Sequence, residues 1–145
     1  MAATTTTATQ PIQLSFPLPH AAQTRIQIHL TQHKTALLLF ITSTTPDTDS
    51  GAAPMGSFVY AIPNRATPTA QPLSTALYTQ TPTLDVATRL AKILAKRTAM
   101  PTYVGNSVSF ASAGAGGSVE EEMEGVRRVV EVVMGVVGKN NGNMP

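Results

Sequence analysis

A chain of 145 residues with 42% hydrophobic content is long enough for one packed domain and too short for two. Only 12% of its residues are charged and the net charge is +2, too little to drive bulk binding to nucleic acid. The absence of cysteine removes disulfides, thiol nucleophiles and thiolate zinc sites, and fits a reducing compartment.

The N-terminus has no basic segment leading into an apolar run, so no signal peptide is expected, and the first arginine, Arg25, comes late for a transit peptide. The longest purely apolar run, Ala36 to Ile41, falls far below the ~20 residues that cross a bilayer. The expectation is a soluble intracellular protein without a membrane partner. Residues 1–10, MAATTTTATQ, read as a low-complexity disordered tail. Ile12, Leu14 and Phe16 then alternate with Gln13 and Ser15, a short half-buried strand that Pro17 and Pro19 end. From Gln23 the period of two is cleaner: Ile26, Ile28 and Leu30 face one side, while Arg25, Gln27, His29 and Thr31 face a wet or partner-facing side. A turn at Lys34-Thr35 leads into Ala36–Thr42, whose unbroken apolar run reads as a strand buried on both faces and paired antiparallel with its predecessor.

Residues 43–56 form a loop, and Ser57–Ile62 a further strand ended by Pro63. A Pro- and Thr-rich loop spans 63–72, followed by a strand over Ser74–Gln80. The next stretch predicts a four-turn helix, with Thr81 or Thr83 as cap, Pro82 in the first turn and Asp85 near the positive end of the dipole. Leu84, Ala87, Leu90, Ala91 and Leu94 form its apolar stripe, widened by Val86 and Ile93. Pro101 stops the helix, and Thr102–Phe110 reads as the last strand. After a Gly/Ala loop at 111–117, Ser118 and Glu121 make a capping box for a second helix with Met123, Val126, Val130, Val133 and Val137 as its stripe. A frayed tail is expected from Gly138.

The predicted order is β-β-β-β-β-α-β-α: a single α+β domain over 11–137, an antiparallel sheet of about six strands with two α-helices. Two helices do not cover both faces of such a sheet, so one face is left for a partner.

The chemistry-bearing residue types form no convincing catalytic set. His29 and His33 are four apart, but on a strand their imidazoles stand ~13 Å apart and share no metal. Gly114-Ala115-Gly116-Gly117-Ser118 faintly resembles a phosphate cradle, yet three glutamates follow and repel an anion. Gly105-Asn106-Ser107-Val108-Ser109 lacks the second glycine of a nucleophile elbow, and Ser107 has no evident base and carboxylate, so a serine hydrolase is the weakest alternative. Asp47 and Asp49 lack the rest of a calcium loop. No catalytic residue, metal site or cofactor is expected. The feature that stands out is a basic ridge of Arg89, Lys92, Lys96 and Arg97 on the first helix. It reads as a solvated face, as a contact for an acidic protein, or, without interleaved aromatics, last as a nucleic-acid surface. Composition and spacing stop at an α+β interaction domain.

The stretch STALYTQTPTLDVATRLAKILAKRTAMPTYVGNSV resembles the proteasome assembly chaperone 4 family. The carrying features are a Ser/Thr-Leu strand, a polar turn, the helix Ala87-Thr88-Arg89-Leu90-Ala91…Leu94-Ala95-Lys96-Arg97-Thr98 and the extended Tyr103-Val104. RIQIHLTQHKTALLLFI upstream and VEEEM downstream are similar in place and character, so the resemblance covers roughly residues 23–135. It implies a non-enzymatic, cytoplasmic and nuclear chaperone. Such a protein pairs with a second chaperone of similar fold, proteasome assembly chaperone 3, and the heterodimer promotes formation of the ring of α-subunits of the 20S proteasome core particle. The resulting expectation is that Arg25, Gln27, His29 and Thr31 dock on the sister chaperone, and that Arg89, Lys92, Lys96 and Arg97 meet an α-subunit.

Overall fold

A computed structural model of the chain describes residues 11–18, 21–46, 54–108 and 119–142. The expected N-terminal tail, the two aspartates of the 43–56 loop, the glycine-rich loop and the capping Ser118 lie outside the described residues.

The strands are β1 (Ile12–Leu18), β2 (Ala21–Gln32), β3 (Leu37–Thr44), β4 (Ser57–Ile62), β5 (Leu73–Tyr78) and β6 (Thr102–Asn106); the helices are α1 (Thr81–Thr98) and α2 (Val119–Gly142). They form one six-stranded sheet in the order β1-β2-β3-β6-β4-β5. The α+β reading therefore holds, with element order as expected. All neighbours pair antiparallel except β3 and β6, which run parallel from Leu37↔Thr102 to Ile41↔Asn106. The parallel pair exists because α1 carries the chain from the β5 edge back across the sheet, and β6 fills the gap between β3 and β4. The strand β6 ends at Asn106, short of the predicted Phe110.

Alternation decides which residues meet the helices. Ile26, Ile28 and Leu30 of β2, Leu37, Leu39 and Ile41 of β3, Val59 and Ala61 of β4 and Val104 of β6 all point to one face and join the core. Against them pack Val86, Ala87, Leu90, Ala91, Leu94 and Ala95 of α1 and Val126, Val129, Val130, Val133 and Val137 of α2. The predicted stripes hold with shifts of phase: Leu84 and Ile93 are only partly buried, Val129 enters the core, and Met123 is 60% exposed. Small alanines let α1 lie close over β4 and β6, while α2 lies against α1 and β2, its Arg128 guanidinium 5.9 Å from the centre of the Phe16 ring.

Four local predictions are corrected. Gln80, not Thr81 or Thr83, is the N-cap of α1, and it makes no side-chain cap. Thr83 instead lies inside the helix, where its hydroxyl donates to Gln80 O at 3.1 Å and lies 2.9 Å from Ser57 Oγ. Pro17 does not end β1, because an edge strand tolerates a missing N–H; the pairing becomes irregular only between Pro17 and Leu18. The strand β3 is not buried on both faces: Leu37, Leu39 and Ile41 are buried but Leu38 and Phe40 only partly. The helix α2 runs on past Gly138 to Gly142.

Candidate functional site

Both helices lie on the same face of the sheet, so the opposite face meets none. Its composition changes across the strands. At the β1–β2 side it carries Gln13, Ser15, Arg25, Gln27, His29 and Thr31, placed by the registers Gln13↔His29 and Ser15↔Gln27. Arg25 donates to Ser15 Oγ at 2.9 Å, and Gln27 donates from Nε2 to Thr44 Oγ1 at 3.2 Å. All four residues predicted to dock on the sister chaperone are thus brought together on this face. Arg25 is exposed; the other three are half-buried.

Toward the centre the same face turns aromatic. Phe40 of β3, Phe58 and Tyr60 of β4 and Tyr103 of β6 are cross-strand neighbours, and their rings stack in series. The centroids are 5.9 Å apart for Phe40 and Phe58, 6.0 Å for Phe58 and Tyr103, and 4.4 Å for Tyr60 and Tyr103. Gly105 makes the arrangement possible: a Cβ there would lie 2.6 Å from the Phe40 ring. Leu38 lies in register beside Tyr103, and Ile62 and Leu73 extend the apolar surface to the β5 edge, where Leu73 is 74% exposed. Partial desolvation, then the charge and hydrogen bond of Tyr103, hold the Tyr60 phenol above its ordinary pKa.

Residue-by-residue reading misses this ladder, because apolar side chains in SFVYAI and LLLFI are taken as core whichever way they point. The usable signal is that both faces of β4 are apolar while the sequence predicts two helices for about six strands. Rigid, large aromatic side chains bury area at low entropic cost, and these four stand on the sheet face that neither described helix covers.

The basic ridge stands on α1, on the other side of the sheet, so the two predicted groups of site residues form two separate surfaces. Arg89 is engaged within the molecule, 3.0 Å from Asp85 and 3.2 Å from Glu122. Among the described residues Lys92, Lys96 and Arg97 form no ion pair. On α2, Arg127 pairs with Glu124 and Glu131, which raise its pKa. The Ser107 hydroxyl donates to Ile41 O at 3.3 Å, and no histidine hydrogen-bonds to it among the described residues. Three or more metal-ligating side chains converge nowhere among the described residues, and no described helix is long and apolar enough to cross a membrane.

No curated protein sequence matches the chain. Among solved structures it is similar to a chain of a crystal structure described as a novel chaperone complex for yeast 20S proteasome assembly. The TM-score is 0.60 at 15% identity, with 86% of this chain and 94% of that one covered, a likeness of fold. The family model for proteasome assembly chaperone 4 matches residues 25–108, from the polar half of the open face through α1 and β6. With more than half of its length in that match, the chain belongs to the proteasome assembly chaperone 4 family.

Proposed function

We propose that this chain is a non-catalytic assembly chaperone of the cytoplasm and nucleus. In this reading it pairs with a sister chaperone of similar fold, proteasome assembly chaperone 3, and the pair promotes assembly of the α-subunit ring of the 20S proteasome. Family membership supports the role, and the yeast structure of the same fold is itself part of a chaperone complex. The observation that carries the pairing is the aromatic ladder Phe40–Phe58–Tyr103–Tyr60 on a face that neither described helix covers. A stable pair ordinarily buries ~800 Å² per partner. In the proposed interface the ladder is the apolar centre, and Arg25, Gln27, His29 and Thr31 are the polar rim that sets register. Lys92, Lys96 and Arg97, on the far side, remain accessible to an α-subunit while the pair is formed.

The test is capture from native lysate with the tagged chain, read by mass spectrometry. Recovery of one small chaperone together with proteasome α-subunits, without the mature particle, is the expected result. Recovery of neither rejects the reading.

A further inference from the structure

The connection between β4 and β5, residues 63–72, has the sequence PNRATPTAQP, with three prolines and no acidic residue. It is a built loop. Thr67 N donates to Asn64 Oδ1 at 3.1 Å and Ala70 N to Thr67 O at 2.9 Å. The loop stands against the last turn of α1, which ends at Ala99 in the left-handed conformation, φ 55°. Between them lies a cleft of ≈ 300 Å³ lined by Pro63, Arg65, Pro68, Pro72, Lys96 and Ala99, among others, and by no carboxylate.

Charge is unevenly divided over the described surface. The helix α1 has no acidic residue after Asp85, and Arg89 is the only cation among its four whose charge is balanced by described carboxylates. Arg65 and Lys96 therefore bring two positive charges to this cleft, with no ion pair among the described residues. The groove between α1 and α2, which Arg97 lines, differs: a carboxylate, Glu131, stands in its wall, and Arg127 is already matched by Glu124 and Glu131.

We propose that the cleft between the 63–72 loop and the end of α1 binds an extended acidic peptide segment, its carboxylates held by Arg65 and Lys96 and its methylenes lying on the prolines. The proposal rests on the functional reading above only for the identity of the partner, the α-subunit being the assembly component that supplies the segment. A guanidinium takes a carboxylate in two parallel hydrogen bonds, whereas the ammonium of Lys96 acts as a point charge. Prolines fix the walls in advance, so little ordering entropy is lost on binding. A single-stranded nucleic acid fits less well, because no aromatic side chain lines the cleft to stack a base.

The experiment is an amide chemical-shift titration of the full chain with an acetylated hexaglutamate peptide, with hexaglutamine and deca-thymidylate as controls. Shifts confined to residues 63–72 and 92–99, given by hexaglutamate and by neither control, are expected. The Arg65→Glu/Lys96→Glu variant should lose at least tenfold in affinity, and Arg65→Lys/Lys96→Arg should bind like the parent. Because both side chains are exposed, the variants keep the parent's melting temperature, and Arg65→Ala/Lys96→Ala replaces any that does not. Shifts located elsewhere, binding undiminished in the charge-reversed variant, or tighter binding of the oligonucleotide would overturn the proposal. Capture of the sister chaperone is read separately on the same variants. A parent that binds hexaglutamate at this cleft but captures no chaperone removes the functional reading and leaves the cleft standing.

Discussion

Asn106, fully buried at the end of β6, shows how single side chains tie the elements together. Its Nδ2 donates to Thr83 O at 3.2 Å and Val108 O at 3.1 Å, while its Oδ1 accepts from Val108 N at 3.1 Å. Thr83 completes the junction: its hydroxyl accepts from Ser57 N at 3.1 Å, so β4, β6 and the start of α1 share one network. Gly56 allows the close approach, for at φ 72° a Cβ would lie 2.0 Å from Asn106 O. Thr83→Val keeps the shape but leaves the buried Ser57 N–H unpaired, so urea unfolding should show a loss of about 1–3 kcal/mol. The sequence signals Thr83 as a cap, because Ser, Thr, Asp and Asn are generic helix-start residues; its bond to Ser57 spans 26 positions and carries no local signal. Tyr60 makes a second residue-scale prediction. Its raised pKa means that the folded state holds this proton more tightly than the unfolded chain. Its contribution to stability is therefore full below the unfolded pKa near 10 and is lost as the pH rises through the higher folded value. Absorbance titration at 295 nm should show one of the three tyrosines ionising late. Tyr103→Phe removes the charge and hydrogen bond and should move that phenol back toward the ordinary value.

Strand β4 makes the case at the scale of an element. Ser57, Val59 and Ala61 are buried under α1, whereas Phe58, Tyr60 and Ile62 alternate onto the open face. Neighbouring substitutions should thus have opposite consequences. Val59→Asp places an unpaired carboxylate in the core, costs several kcal/mol, and should abolish the cooperative melt. Phe58→Ser removes two ring contacts, each worth about 0.5–1.5 kcal/mol, and should leave a folded chain that no longer captures the sister chaperone. Capture by Phe58→Ser at parental yield would move the pairing surface elsewhere. Periodicity found β4 and its bounds because six β-branched, aromatic and small residues stand between a glycine and a proline. It did not say which face was core, since both faces are apolar. The ladder is also assembled from β3, β4 and β6, whose neighbourhood depends on β6 entering between strands more than 40 positions earlier in the chain.

At the scale of the whole molecule, two surfaces lie on opposite sides of one sheet: aromatic on the open face, basic along the far side of α1. In the proposed function this separation would let the sister chaperone be held while an α-subunit is engaged. Asp85 and Glu122 balance the charge of Arg89 within the molecule, whereas Lys92, Lys96 and Arg97 form no ion pair among the described residues. Arg89→Ala should lower stability by about 0–1 kcal/mol, as exposed pairs do, and leave α-subunit capture unchanged. Lys92→Glu/Lys96→Glu should instead slow association with α-subunits and flatten its dependence on salt, measurable by surface plasmon resonance between 50 and 300 mM NaCl, taken as roughly the range over which screening changes most. An unchanged on-rate in that variant removes the basic end from the docking model.

Local chemistry alone determined the strands, the helices, their order, the α+β class and the basic ridge, since each rests on spacing of two or of 3.6 residues within one short segment. Sequence reasoning also anticipated an uncovered sheet face, by counting two helices against six strands. The tertiary structure decided which face that is, that four aromatic rings align on it, that Arg89 is spent on an intramolecular pair, and that Arg65 joins Lys96 across a proline-walled cleft. These facts depend on contacts between residues far apart in the chain, such as Phe40, which pairs with Gly105 and stacks on Phe58, and the energy of such a contact is written in neither partner's local sequence.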